Sequence, residues 1–288
     1  MESRTLGKTG RKVGVIGLGF EHLKTKSEQE VETIVSTALD AGINYFDLVW
    51  SLPHLLRGIG SSLGKRRGEV VLAVHFGSGH SNGKYKLSRD PVECETMFME
   101  ALKDLGTDYA DIANIHYIKD MKTWKQIKKN GVINAAFSLK NRGIVRNLAV
   151  GTHSLEVVRL VAEEGLFDSV MYPINLANHC LPDRDTVLDL CKRKGIGVVA
   201  MKPFAAGRLL RAGEVTMIQR WQSGGQYLKM MMPEITTTQC LSYSLSQSGV
   251  CVVVAGPSNL TELEGLIGFN NAKKDEVCFE HLLDAFTN

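Results

Sequence analysis

The sequence predicts one α/β domain over residues 1–288, a closed (β/α)8 TIM barrel with an N-terminal β-hairpin as its cap. Three observations predict it. Short, β-branched apolar runs recur eight times without strict polar alternation, as strands covered on both faces do. Amphipathic stretches with start and stop residues lie between them, the strand-then-helix rhythm of a barrel. A length of 288 residues exceeds the usual domain but suits one barrel.

The elements follow in order. Thr5–Val13 reads as a turn-centred hairpin placed to close the bottom of the barrel. Predicted strands are Val13–Leu18, Asn44–Asp47, Val70–His75, Ile112–His116, Leu148–Gly151, Ser169–Pro173, Gly197–Met201 and Val252–Ala255. Ser27-Glu28-Gln29-Glu30 is a capping box that opens a helix toward Leu39, with Gly42 as its stop. Ser154–Glu164 puts Val157, Leu160 and Val161 on one face and ends at Gly165. Asp183–Arg193 repeats the pattern before Gly195. Two stretches fit the repeat poorly. Gly77–Ser88, polar and Gly-rich, is predicted as a mobile loop at the mouth after the third strand. Arg211–Pro233, rich in Met and Gln and containing Gly224-Gly225, is predicted as an elaboration before a helix near Glu234. No linker divides the chain.

Composition excludes several classes. Hydrophobic content of 44% and charged content of 23% are those of a soluble globular protein. A net charge of +3 gives no footprint for nucleic acid or an anionic membrane. No apolar run approaches the roughly 20 residues of a spanning helix, and Met1-Glu2-Ser3-Arg4 opens no secretory signal. Cys94, Cys180, Cys191, Cys240, Cys251 and Cys278 have no zinc-like or Cys-x-x-Cys spacing, so reduced thiols and a cytoplasmic location are expected.

Chemistry in such a barrel sits at the C-terminal ends of the strands. Asp47, His75, His116, His153, Met171 and Lys202 stand there, with His54 just beyond. Asp47, His75 and His116 close three consecutive strands, and such groups cost desolvation unless they pair. They are the candidate catalytic residues. A purely structural account makes Asp47–His75 a satisfied pair and His116 a packed core residue. The Met230-Met231-Met232 run is expected to pack.

Tyr45-Phe46-Asp47, Gly60-Ser61-Ser62-Leu63, Leu102–Tyr109, Asp111–His116, Thr152-His153-Ser154, Gly165–Asp168 and Met201–Gly207 together resemble the aldo-keto reductases. The likeness is closest to the branch whose members often carry iron–sulfur tails, although no cysteine-rich tail follows here. It spans nearly the whole chain. The resemblance implies a tyrosine acid, a lysine that lowers its pKa, an aspartate that holds the lysine and a histidine that orients the carbonyl. Asp47 and His116 match two of these. The tyrosine position is Leu52 and the lysine position is His75. Trp50 is the aromatic residue near the tyrosine's place, and an indole N–H is far too weak an acid to replace it. The rim is therefore expected to gather three protonatable groups and no phenol.

The implied nicotinamide pocket is altered too. Gly151, Thr152 and Met171 stand where the family binds the carboxamide, a loss of a few hydrogen bonds worth about 1 kcal/mol each. Thr152, Lys202, Gly207, Arg208, Gly256, Ser258 and Asn259 are the candidate cofactor-binding residues, for NADP or NAD. The expected activity is a nicotinamide-linked oxidoreductase on a small carbonyl or alcohol, with His75 or His116 as proton donor and Asp47 as orienter. The alternatives are a non-redox lyase, dehydratase or isomerase, in one version with Asp47, His75 and His116 as metal ligands, and a catalytically silent ligand-binding or partner protein.

Overall fold

A computed structural model describes residues 2–220, 226–269 and 277–287. Eight parallel strands close a barrel in chain order: β1 Ile16–Gly19, β2 Tyr45–Leu48, β3 Val71–Phe76, β4 Ala110–Ile118, β5 Val145–Thr152, β6 Ser169–Pro173, β7 Gly197–Met201 and β8 Val250–Ala255. β8 pairs back onto β1 through Val253↔Ile16 and Ala255↔Leu18. The predicted first strand divides: Lys12–Gly14 pairs with Ser3–Thr5 in the N-terminal hairpin, and the barrel strand begins at Ile16.

The helices are α1 Glu28–Asp40, α2 Pro53–Leu63, α3 Pro91–Asp104, α4 Met121–Lys129, α5 Val132–Asn141, α6 Leu155–Glu164, α7 Arg184–Arg193, α8 Thr237–Ser246, α9 Leu260–Gly268 and the short α10 Glu280–Leu283. The predicted capping box holds: the Ser27 side chain accepts from Glu30 N, and Glu30 reaches back to Ser27 N. α8 starts three residues beyond Glu234, because Thr236 and Gln239 form its capping box. A pyrrolidine at its first position starts α2, a helix absent from the sequence reading.

Two cores follow from the pleat, since alternate strand residues face opposite ways. The larger lies between strands and helices. The smaller fills the barrel: Tyr45, Val71, Ala73, Ile112, Ala149, Met171, Val199, Val252 and Val254, closed below by Leu6 and Val13 of the N-terminal hairpin. Arg4 fastens that hairpin by donating to the carbonyls of Leu245 and Val250 at 2.9 and 2.8 Å. The hairpin is thus the predicted bottom cap. The same alternation carries Tyr45 to Asp47, Ala73 to His75 and Asn114 to His116, so three neighbouring strands end on polar inward positions.

Gly77–Ser88 is not the predicted loop. It is a two-stranded ribbon, Ser78–Ser81 against Lys84–Leu87, turned by Asn82 and Gly83 at φ of 50° and 73°. A two-residue Asn-Gly turn with both residues left-handed matches the twist of paired strands, which is why the segment orders. Arg211–Pro233 likewise contains a ribbon, Val215–Arg220 against Gln226–Met231, while Gly224-Gly225 lie outside the described residues. No helix among the described residues is long and apolar enough to cross a membrane.

Candidate active site

A cavity of about 500 Å³ opens at the C-terminal ends of the strands, a volume typical of small-molecule sites. One side is built by the acidic and basic strand ends. Asp47, His75 and His116 are 6%, 4% and 8% exposed. Asp47 Oδ1 lies 2.9 Å from His75 Nε2, and His75 Nδ1 lies 2.7 Å from His116 Nδ1. The predicted convergence of these three residues is therefore present in the structure. Their arrangement is linear. Asp47 and His116 contact opposite nitrogens of the His75 ring, so their donor atoms do not surround a common point, and among the described residues no cluster of three ligating side chains could hold a metal. The metal triad considered from sequence fails on that geometry.

The expectation that no phenol joins them also fails. Tyr85, on the second strand of the Asn82-Gly83 ribbon, places its hydroxyl 2.8 Å from His116 Nε2. Its ring meets Trp50 edge-on with centroids 4.8 Å apart. The ribbon is anchored where it leaves the barrel: Ser78 Oγ donates to Val49 O at 2.6 Å, and Ser88 N to Gly77 O at 2.9 Å. Lys86 pairs with Glu93 of α3. The ribbon also lies so close to α3 that a Cβ on Gly79 would collide with Met97 Sδ and stand 2.9 Å from Met97 Cβ. Sequence reasoning missed Tyr85 because it searched the strand-end positions. The usable signal was Asn82-Gly83 flanked by pairable residues.

Burial holds the His116 imidazole well below its usual pKa, with His75, Arg89 and His153 adding to the effect. Burial, with Lys202 adding, pushes His153 down to about 3. Burial raises the Tyr85 phenol, Arg89 opposes that shift and Tyr117 adds to it. His116 and Tyr85 are therefore a neutral ring and a neutral phenol near neutral pH.

The opposite side is formed by the ends of β7, β8 and β1. Gly19, Gly207 and Gly256 present no side chains there, and Lys202 stands beside them. The turn after β7 holds Lys202, Ala205, Ala206 and Gly207 at φ of 57°, 48°, 58° and 78°. Left-handed backbone in non-glycine residues is costly and clusters where a ligand shapes the chain. This side of the cavity carries a cation, Lys202, and a carboxylate, Glu21, with glycines between the strand ends where a diphosphate would approach the backbone. Gly151 has no side chain to offer a carboxamide, and the Met171 thioether accepts from Asn114 Nδ2 at 3.5 Å.

Among the cofactor candidates, Lys202, Gly207 and Gly256 line the cavity. Thr152 does not: its hydroxyl donates to Ile118 O and accepts from Ser154 N, leaving Gly151 and His153 as the wall. Arg208, Ser258 and Asn259 lie outside the wall, Arg208 opening a short 3-10 turn and Asn259 capping α9 by accepting from Glu262 N at 3.0 Å. Leu52 is packed on the outer core. His54 bonds Lys24 O at 2.9 Å, away from the cavity. His153 joins the rim, edge-on to Tyr117 at 5.1 Å. Glu21, His22 and Phe204 complete a wall that the sequence reading did not assign.

The profile of the aldo/keto reductase family matches residues 15–282, nearly the whole chain. The chain belongs to the aldo/keto reductase family. That membership places it among NAD(P)-dependent oxidoreductases. It is 24% identical over 295 residues to the "Uncharacterized oxidoreductase YqkF" of Bacillus subtilis (strain 168), an alignment covering 95% of this chain and 92% of the relative. It is 26% identical over 286 residues to the L-galactose dehydrogenase of Arabidopsis thaliana, covering 92% and 86%. The holo form of aldo-keto reductase AKR11C1 from Bacillus halodurans superposes with a TM-score of 0.79 at 21% identity, covering 99% of this chain and 95% of that one.

Proposed function

We propose that this protein is a nicotinamide-linked oxidoreductase of a small carbonyl or alcohol whose proton is handled by Asp47, His75 and His116. The observation that carries the reading is the unbroken hydrogen-bonded line from Asp47 Oδ1 through His75 to His116 at 2.9 and 2.7 Å, inside the cavity. A bound nicotinamide supplies or removes the hydride. The protein's own task is then to give or take one proton at the substrate oxygen by general acid–base chemistry, with the histidines supplying and receiving that proton. Asp47 orients His75 through Nε2, His75 passes the proton through Nδ1, and His116 carries it to the cavity side. No lysine ammonium is needed in this arrangement.

Lys202, Gly207 and Gly256 hold the nicotinamide dinucleotide, NADP or NAD, along the β7 side of the cavity. Arg208, Ser258 and Asn259 follow the same two strand ends outward and serve its adenosine-phosphate end. Thr152 supports the β5 turn rather than the ligand. A cytoplasmic location is part of the proposal, on the scattered spacing of the six cysteines. Titration of the purified protein with NADPH and NADH, read by intrinsic fluorescence and thermal shift, tests the reading. Stabilisation by either nucleotide and oxidation of that reduced nucleotide by small aldehydes are expected. Absence of any stabilisation at millimolar nucleotide would overturn it.

A further inference from the structure

Neither histidine of the relay presents a free ring nitrogen to a substrate. His75 has Asp47 at Nε2 and His116 at Nδ1. His116 has His75 at Nδ1 and the Tyr85 hydroxyl at Nε2, 2.8 Å away. Tyr85 is the outermost member: it is 41% exposed and forms part of the cavity wall. All three side chains line the cavity, and the phenol is far more open than the two rings, which are 4% and 8% exposed. We propose that Tyr85 is the catalytic proton-transfer residue, delivered by the ribbon between β3 and α3 and fed by the relay Tyr85–His116–His75–Asp47. The proposal rests on the oxidoreductase reading above.

The distances allow two proton orders. In the first, every proton points inward: Tyr85 O–H donates to His116 Nε2, His116 Nδ1–H to His75 Nδ1, and His75 Nε2–H to Asp47. The phenol oxygen then offers only lone pairs to the cavity. In the second, the His75–Asp47 pair holds one more proton. His75 Nδ1–H donates to His116 Nδ1 and His116 Nε2–H to the phenol oxygen, so the Tyr85 O–H points at the substrate. His116 carries a single proton in both orders and changes only its tautomer, as suits a ring that burial keeps from becoming an imidazolium.

Reduction uses the second order. As the hydride reaches the carbonyl carbon, the carbonyl π electrons move to its oxygen, which takes the Tyr85 proton. The phenolate oxygen takes the proton from His116 Nε2, and His116 Nδ1 takes that of His75 Nδ1. His75 is left neutral beside Asp47, and a solvent proton reloads the pair. Alcohol oxidation runs the same steps backward from the first order, discharging one proton to solvent.

The test compares wild type, Tyr85→Phe and His116→Ala. In the ligand-free protein, ¹⁵N chemical shifts of labelled histidine report which ring nitrogen is protonated. Removing the phenol should shift the His116 Nε2 resonance and alter its tautomer balance. In the nucleotide-loaded protein, Tyr85→Phe should lower kcat for aldehyde reduction by about 100-fold while nucleotide affinity stays within about twofold. Unchanged His116 shifts in Tyr85→Phe overturn the proposal, as does a Tyr85→Phe rate within about twofold of wild type. In those cases the oxidoreductase reading stands. A wild type that neither binds nucleotide nor reduces any aldehyde removes that reading and this proposal together.

Discussion

The Nδ1 atoms of His75 and His116 face each other at 2.7 Å. Only one proton fits between them, because two N–H groups pointing at one another would repel. The contact therefore couples the tautomers of the two rings, and a residue at position 75 must offer a lone pair as well as an N–H to join in.

Lysine, the residue the family resemblance places at position 75, cannot do this, having donors and no acceptor when charged. His75→Lys should keep a cation beside Asp47 and still lose turnover, by about 100-fold, with nucleotide binding retained. Steady-state kinetics with a small aldehyde checks it. A variant that matches wild type would mean that the proton does not travel through His75.

The ribbon that carries Tyr85 has almost no clearance over α3. Gly79→Ala should force it away from Met97, costing about 1–3 kcal/mol as overpacking does, and should lower kcat by displacing the phenol from His116. Adding Met97→Ala removes the Sδ and Cγ collisions but leaves the Cβ contact at 2.9 Å, so it should restore kcat and the position of the histidine ¹⁵N resonances in part. Urea unfolding and kinetics of the single and double variants test the coupling.

Asp111 opens β4 fully buried and is bonded on all sides. Arg67 Nη1 lies 2.9 Å from Oδ2, Arg146 Nη1 lies 3.0 Å from Oδ1, and Leu72 N donates to Oδ2 at 3.1 Å. The two guanidinium groups also sit 3.9 and 4.0 Å from the Tyr109 ring centre. Asp111→Ala should cost about 3 kcal/mol by leaving the largely buried Arg67 charge without its carboxylate. Denaturant midpoints give the value.

Acid should weaken the fold from the mouth inward. In the unfolded chain His153 binds its proton near 6.5, and in the folded chain only near about 3. Between these values the unfolded form holds the extra proton, so stability falls as pH falls, by about 1.4 kcal/mol per pH unit for each such ring. His116, also held below its usual pKa, adds in the same direction. Above the unfolded value both states are neutral and the effect vanishes. Urea midpoints from about pH 7 to about pH 5 should drop for wild type and drop less for His153→Gln.

Lys202 is the cation on the β7 side of the cavity. Lys202→Ala should raise the Kd for NADPH about tenfold, the equivalent of about 1.4 kcal/mol, and this loss should shrink at high salt. Fluorescence titration at two ionic strengths measures both.

The barrel was legible because its signals are local and repeat: β-branched runs for each strand, the Ser27–Glu30 box for α1, a glycine after α6. Boundaries moved where pairing partners decide, as when Gly14, expected within the first barrel strand, pairs with Ser3 in the hairpin. Asp47, His75 and His116 were legible because a fixed pleat carries strand-end positions to one place. Tyr85 was not, since its approach depends on how a ribbon folds over the mouth, a long-range fact that composition hides. Thr152 was misplaced for a related reason: its position matches the family's pattern, but its hydroxyl is committed to Ile118 O.

The ribbon turned by Asn82 and Gly83 is tied to the barrel at its two feet and touches β4 through Tyr85 on His116, the one residue it contributes to the chemistry. A proton donor mounted on such an appendage is separable from the architecture that orients the remaining partners. Grafting or trimming these twelve or so positions, a length within the ordinary range of surface insertions, would change the donor while leaving every staves-and-hoops contact of the cylinder as it was.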